Sequence, residues 1–210
     1  MNDQTRAVAM LAPPNILRRI VRLQILTVAW MTIEVVVALL AAWAATSSAL
    51  LGFGGDSGAE LFSAMVVLWR FRSTSDSAMK DERLAARVAG GLLFAVAGFV
   101  VVSSGLSLLG YGEPRPSFVG IILLIVAGVG MPWLASQKRK LATQIGSASL
   151  RADAAESELC GYLSLIALAG LLANALFRAP WTDPLAALAL VPLILKEAWH
   201  AVRTSQHCCD

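Results

Sequence analysis

The sequence predicts an all-α integral membrane protein with six transmembrane helices. Of its 210 residues, 57% are hydrophobic and only 15% are charged, and the mean hydropathy is +0.68. An ordinary soluble domain carries about 25% charged residues. The chain also divides into six apolar stretches, each near the ~20 residues that a helix needs to cross the hydrocarbon core. We therefore expect one helical membrane domain, with no folded domain outside the bilayer.

Turn-forming residues separate the six predicted helices. Thr46-Ser47-Ser48, the segment 110–114 and Thr182-Asp183-Pro184 have the composition of turns, and Pro184 suits the first turn of a helix. The predicted spans are Leu23–Ala45, Ser48–Phe71, Leu84–Leu109, Phe118–Ser136, Thr143–Phe177 and Pro184–Val202. Residues 1–22 are then an N-terminal segment, residues 23–203 the membrane domain and residues 204–210 a tail.

The distribution of basic residues predicts the orientation in the membrane. All but two fall on one side of the predicted spans, and the exceptions are Arg115 and Arg178. The positive-inside rule therefore places both termini and the two longer loops in the cytoplasm. The net charge of +3 follows from this topology, so we infer no binding to nucleic acid from it. Without an evident cleavable signal peptide or organelle signal, the bacterial inner membrane is favoured.

The three cysteines do not suggest a disulfide framework. Cys160 lies within the fifth predicted helix, and Cys208 and Cys209 are adjacent at the carboxyl end. His207-Cys208-Cys209 could capture a soft metal, or it could be a disordered tail. The tail interpretation is favoured because the motif lacks the separated ligand pairs of a structural zinc site.

Two pairs of potential metal ligands lie inside the apolar chain. Asp56 and Glu60 stand four residues apart in the second predicted helix, and Glu156 and Cys160 repeat that spacing in the fifth. Residues at i and i+4 share one helix face, so each pair directs two donor groups the same way. Ionisable groups within a bilayer are costly and usually face a partner, water or an ion. If the two helices pack face to face, the four groups form a tetrahedral metal site; local hydrogen bonding or exposure to water is the alternative.

The chemistry of this set predicts exchange of a cation for protons. Three carboxylates and a thiol are too much negative charge to bury while no cation is bound, so some should hold protons until one arrives. Metal entry then releases protons. Oxygen ligands alone suit hard ions, whereas a thiolate favours zinc, cadmium, iron or a softer metal. Gly52, Gly54, Gly55 and Gly58 flank the first pair and suit close helix approach.

Three other acidic residues each allow two interpretations. Glu34 stands alone in the first predicted helix, where it is either a proton relay or the partner of a structural hydrogen bond. Asp153 and Glu158 lie outside the expected ligand set, as solvated groups or as groups that line a gate. Pro132 and Pro192 are expected to kink their helices, and most tryptophans to anchor at the membrane interface.

Three segments resemble the cation diffusion facilitator superfamily. SSALLGFGGDSGAELFSA is similar to its second helix, LRADAAESELCGYLSLIALAGLLANAL to its fifth, and WTDPLAALAL to the start of its sixth. The resemblance covers about residues 20–203 and implies the six-helix transmembrane fold of that family. It also implies that Asp56, Glu60, Glu156 and Cys160 occupy the four ligand positions. The family typically uses His and Asp, so Glu156 and Cys160 leave the metal open.

The resemblance implies a function as well. Members export zinc or related divalent ions by alternating access in exchange for protons, commonly as homodimers. The chain is similar to the short branch that lacks the C-terminal cytosolic domain, so a homodimer would use transmembrane helices, for which the small residues Gly90, Gly91, Ala95 and Gly98 are candidates. The expected partners are thus a divalent metal ion (zinc first, then cadmium, iron, manganese or a softer metal), protons and the lipid bilayer.

The alternative is a membrane metal-binding or regulatory protein without transport. An enzyme is not expected, because the sequence has no His-Glu metalloprotease motif, no nucleophile elbow and no phosphate-binding glycine loop. We expect no prosthetic group.

Overall fold

The structure, a computed structural model, describes residues 14–72, 78–146 and 148–204. These residues form six helices: α1 Pro14–Ala45, α2 Ser48–Arg72, α3 Ala78–Leu108, α4 Phe118–Ile145, α5 Ala148–Phe177 and α6 Thr182–Thr204. The predicted all-α fold class is confirmed. Within the described residues, α1, α3, α4 and α5 contain stretches long and apolar enough to cross a membrane. Helices α2 and α6 are not among these four within the described residues. The motif at 207–209 lies outside the described residues.

Helix α2 lies at the centre of the bundle. It packs against α1, α3, α5 and α6, while α4 packs mainly on α5, and α3 on α6. Large apolar side chains such as Phe53, Met131 and Leu163 fill the interior. Others, such as Leu40 and Val129, point outward and are exposed. Outward apolar side chains on long helices are what contact with lipid requires.

The two ends of the bundle differ in charge. Helix α1 begins and helix α6 ends at one end, which we call the basic end. Its basic residues on described helices include Arg18, Arg19, Arg22, Lys138, Arg139, Lys140, Lys196 and Arg203. A small apolar cluster that includes Ile20, Leu141 and Leu150 joins the start of α1 to the end of α4 and the start of α5. The difference in charge between the two ends, predicted from the sequence, therefore includes basic residues that lie on helices.

Several predicted boundaries at the basic end were wrong, including the starts of α3 and α5, and the largest differences are in α4 and α1. Helix α4 does not end at Ser136 but continues to Ile145, where Gly146 caps it with φ 65° and its N–H bonds the Ala142 carbonyl. The segment from 137 to 142 that was expected to be a basic loop is therefore helical. Helix α1 likewise begins at Pro14 rather than Leu23. Proline suits a first helical turn because its missing N–H is one that has no partner there.

At the opposite end, one carboxylate joins α6 to α2. The Ser47 hydroxyl donates to Asp183 Oδ2 at 2.5 Å, and the Ala49 N–H donates to Oδ1 at 3.3 Å. The Leu50 N–H in turn donates to the Ser47 hydroxyl at 3.1 Å. Asp183 thus lies at the N-terminus of α2, where the helix dipole and the free N–H groups favour negative charge. The predicted turn chemistry of this segment has a second function, which is to hold two helices together.

Glycines allow the closest helix contacts. A Cβ at Gly170 in α5 would lie 2.4 Å from the Ala186 Cβ and 3.2 Å from the Thr182 carbonyl oxygen, both in α6. A Cβ at Gly55 in α2 would lie 2.5 Å from a Val96 methyl group in α3. Of the four glycines around Asp56, Gly55 makes the tightest approach, and Gly58 has no atom within 4 Å of its would-be Cβ.

The contact at Gly170 yields a stability prediction. Gly170→Ala should destabilise the protein by about 1–3 kcal/mol, because the added methyl group meets backbone that cannot move independently. Gly130→Ala is the matched control, since Gly130 is also helical and has no neighbour within 4 Å of its would-be Cβ. It should instead gain slightly from helix propensity. Thermal unfolding of both variants in detergent measures the difference, and equal melting temperatures would contradict the close α5–α6 packing.

Candidate metal site

The expected ligands meet where α2 and α5 pack together. Asp56 is 3% exposed, Glu60 4% and Cys160 0%, so all three are buried between helices. Glu156 is half-buried, one turn before Cys160 on α5. Cys160 lies close enough to Glu60, and Asp56 close enough to Glu156, for electrostatic interaction. The structure therefore brings the two pairs into one region of the bundle.

The four groups do not form a ready-made coordination shell. Among the described residues, no three His, Cys, Asp or Glu side chains are grouped closely enough to hold a metal ion. Part of the reason is that Ser157 donates to Glu60 Oε1 at 2.6 Å and so engages that oxygen. Within the same described part of the chain, Asp56 Oδ1 and Glu60 Oε2 are buried without a hydrogen-bond partner. Buried carboxylate oxygens of this kind are costly unless something else satisfies them.

Glu34 is surrounded by hydrogen-bond donors from three helices. Trp30 Nε1 of α1 donates to Oε2 at 2.6 Å, and the Ser57 hydroxyl of α2 donates to Oε1 at 2.8 Å. The Cys160 thiol of α5 donates to the same Oε1 at 3.5 Å. The structural hydrogen bond expected as one alternative therefore exists. Trp30 points at Glu34, so it departs from the interfacial role expected for most tryptophans.

Asp153 is buried, so the expectation that it could be solvated was wrong. Its Oδ2 lies 3.0 Å from Lys138 Nζ, and both side chains are fully buried. Gln24 Nε2 of α1 donates to the same oxygen at 2.8 Å. Glu158, by contrast, pairs with Arg139 on a partly exposed surface of α5, which agrees with its place outside the ligand set.

Sequence reasoning missed Glu197 in α6. Its carboxyl group lies close enough to those of Asp56, Glu156 and Glu60 to interact with their charges, most strongly with that of Asp56. Carboxylates only accept hydrogen bonds, so a bond between two carboxyl groups contains a proton. A signal was present in the sequence: Glu197 is an acidic residue inside the last predicted span, shortly after the apolar run Leu193-Ile194-Leu195. Its neighbours Lys196 and Trp199 are instead typical of the membrane interface.

The comparisons with known proteins bear on this site and fold. The family described as the cation efflux transmembrane domain matches residues 25–206 of the chain. The chain belongs to the cation efflux family. That match covers all six helices, including α2 and α6, and it confirms the resemblance drawn from the segments of α2, α5 and α6. The family is one of cation transporters rather than enzymes.

A curated bacterial relative is also similar. The chain is 25% identical over 169 residues to the uncharacterized transporter YdbO of Bacillus subtilis (strain 168). The aligned region covers 77% of this chain and 58% of that protein, so the chain spans somewhat more than half of its relative's length.

Burial of Cys160 can be tested by its reactivity. In a Cys208→Ser/Cys209→Ser background, Cys160 is the remaining thiol of the sequence. It should react with a maleimide at least about a hundredfold more slowly in the folded protein than in denaturant, because reaction requires an accessible thiolate. Labelling is followed by intact mass. Rapid labelling of the folded protein would contradict the placement of Cys160 between α2 and α5.

Proposed function

We propose that this protein exports a divalent metal cation across its membrane in exchange for protons. Membership of the cation efflux family supports transport of a cation. The observation that carries the proposal is local: the buried carboxyl groups of Asp56 and Glu60 on α2 lie near the buried Cys160 thiol on α5, and one oxygen of each carboxyl group lacks a hydrogen-bond partner within the described chain. A cation is the ligand that such a set of groups is suited to bind.

The proposed ligands are Asp56, Glu60, Glu156 and Cys160, with Glu197 as a fifth donor from α6. Coordination requires small rearrangements, because Glu60 must release Ser157 and Asp56 must exchange its carboxyl partner for the ion. Oxygen donors with one thiolate favour zinc or cadmium over purely hard ions. Zinc is therefore the first candidate substrate, followed by cadmium, iron and manganese.

Proton exchange is supported by the Asp56–Glu197 pair. A hydrogen bond between these two neighbouring carboxyl groups requires a proton on one of them, because carboxylates only accept hydrogen bonds. A divalent ion that binds Asp56 replaces this proton, since the same oxygens cannot serve both at full strength. Glu34, which contacts Cys160, is the proposed relay for protons leaving the site, and Asp153 is the proposed gate toward the basic end.

Orientation, membrane and assembly complete the proposal. The positive-inside rule favours a cytoplasmic basic end, with both termini in the cytoplasm of a bacterium and the helices in its inner membrane. Export then begins at the basic end and finishes at the end that carries Asp183. A homodimer would pair the outer face of α3, where methyl groups added at Gly91 and Gly98 would meet no atom within 4 Å among the described residues.

Proteoliposomes containing the purified protein and an internal pH dye test the proposal directly. Zinc or cadmium entry should be matched by proton exit. Asp56→Asn and Glu60→Gln should each lower the rate at least about tenfold, because each removes a ligand. Glu158→Gln is the matched control, as Glu158 lies outside the site and pairs with Arg139. Metal binding without flux in the unaltered protein would instead favour a metal-binding or regulatory role.

The Cys160 thiol leads to a prediction about which metal ions the protein transports in preference. Cys160→Asp replaces a soft ligand by a hard one at the same position, so the ratio of cadmium to manganese transport should fall by about tenfold or more. Competition between the two ions in the same vesicles measures that ratio. An unchanged ratio would show that Cys160 does not contact the transported ion.

A further inference from the structure

Lys138 of α4 is a fully buried lysine next to the candidate site. Its side chain has 0% exposure, and its Nζ lies 3.0 Å from Asp153 Oδ2. The same nitrogen donates to the Ser157 hydroxyl at 2.7 Å. Its neighbours Arg139 and Lys140 are exposed. Because burial of an ammonium group is strongly unfavourable without compensation, this placement calls for an explanation beyond surface topology.

The Ser157 hydroxyl links Lys138 to Glu60. An ammonium group can only donate, so Lys138 occupies a lone pair of the Ser157 hydroxyl. The single hydroxyl proton has two acceptors in reach, Glu60 Oε1 at 2.6 Å and the Asp153 carbonyl oxygen at 3.1 Å, and the shorter contact is the one to Glu60. One oxygen of Glu60 is thereby held through Ser157 by a cation. The other, Oε2, remains without a hydrogen-bond partner among the described residues.

Two acidic residues on other helices lie near Lys138, and a neutral amide of a third helix bonds one of them. Asp153 of α5 neutralises it directly, and Gln24 of α1 donates to the Asp153 oxygen that Lys138 contacts. Glu60 of α2 is the next charged group, reached through Ser157. Lys138 and Asp153 therefore form a neutral pair at the edge of an acidic site, and loss of either member leaves one buried charge there.

We propose that Lys138 is a positioning residue for cation binding. Its fixed positive charge, balanced by Asp153, limits the negative charge that the site presents and holds Glu60 through Ser157 until an ion takes the carboxylate. This inference rests on the proposed function, because it assumes that Glu60 binds the ion. It assigns to Lys138 a role at the site that its place in a basic segment of the sequence does not suggest.

The test is Cd²⁺ binding by calorimetry on the purified full-length protein in detergent. Lys138→Met leaves Asp153 unbalanced, so the protein should bind Cd²⁺ about tenfold more tightly; Asp153→Asn leaves an ammonium that repels the ion, so binding should weaken about tenfold. Lys138→Met/Asp153→Asn should return to within about threefold of the unaltered protein. Lys140→Met, an exposed lysine on the same helix, is the control and should change nothing.

A purely structural pair would behave differently. Removal of either partner would then weaken binding and lower the melting temperature in the same direction, and that result would overturn the inference. Unchanged affinity in Lys138→Met would also overturn it, while normal Cd²⁺ binding by the unaltered protein would leave the proposed site intact. Absence of Cd²⁺ binding in the unaltered protein would overturn the proposed function itself.

Two further variants keep the test decisive if a single variant fails to fold. Lys138→Arg retains the charge and should keep Cd²⁺ affinity within about threefold. Ser157→Ala retains both charges but cuts the connection to Glu60, and it should change affinity by more than about threefold. Loss of binding in Lys138→Arg, or unchanged affinity in Ser157→Ala, would contradict the proposed chain from Lys138 to Glu60.

Discussion

Burial of charged groups in an apolar bundle is the constraint on which the rest of this structure depends. A carboxylate or ammonium removed from water must find an opposite charge, hydrogen-bond donors or an ion. Asp183 meets the requirement at the start of α2, and Asp153 meets it with Lys138. Glu34 meets it with donors from Trp30, Ser57 and Cys160. Asp56 and Glu60 meet it only in part, because one oxygen of each, like Oδ1 of Asp153, has no hydrogen-bond partner among the described residues. These two carboxyl groups and the nearby Cys160 thiol mark the candidate site.

These groups form a continuous polar path within the apolar bundle. It begins near the basic end at Gln24, Asp153 and Lys138, and passes through Ser157 to Glu60. Cys160 lies near Glu60 and donates to Glu34. The path follows the contact between α2 and α5, with α1 and α4 contributing from the sides. A small shift of either helix would therefore change hydrogen bonds along its length.

Much of this arrangement could be predicted from the sequence, because membrane helices obey strong constraints on length and composition. Apolar runs and turn residues predicted all six helices, and i, i+4 spacing predicted the two pairs of candidate ligands. The predictions were wrong where a cluster of basic residues was interpreted as an exposed loop. The cluster Lys138-Arg139-Lys140 suggested a loop, yet Lys138 continues the buried stripe of Met131, Leu134 and Leu141. Partners distant in sequence, such as Asp56 and Glu197, depend on how the helices pack, which helical periodicity does not determine.

The measurement that tests the central claim most directly is X-ray absorption at the zinc edge. It would use the Zn²⁺-loaded Cys208→Ser/Cys209→Ser variant, in which Cys160 is the remaining thiol of the sequence. The account predicts one sulfur at about 2.3 Å together with oxygen ligands at about 2.0–2.2 Å, and loss of the sulfur in Cys160→Ser. A shell of oxygen or nitrogen alone, identical in both variants, would place the ion away from α5 and contradict the proposed site.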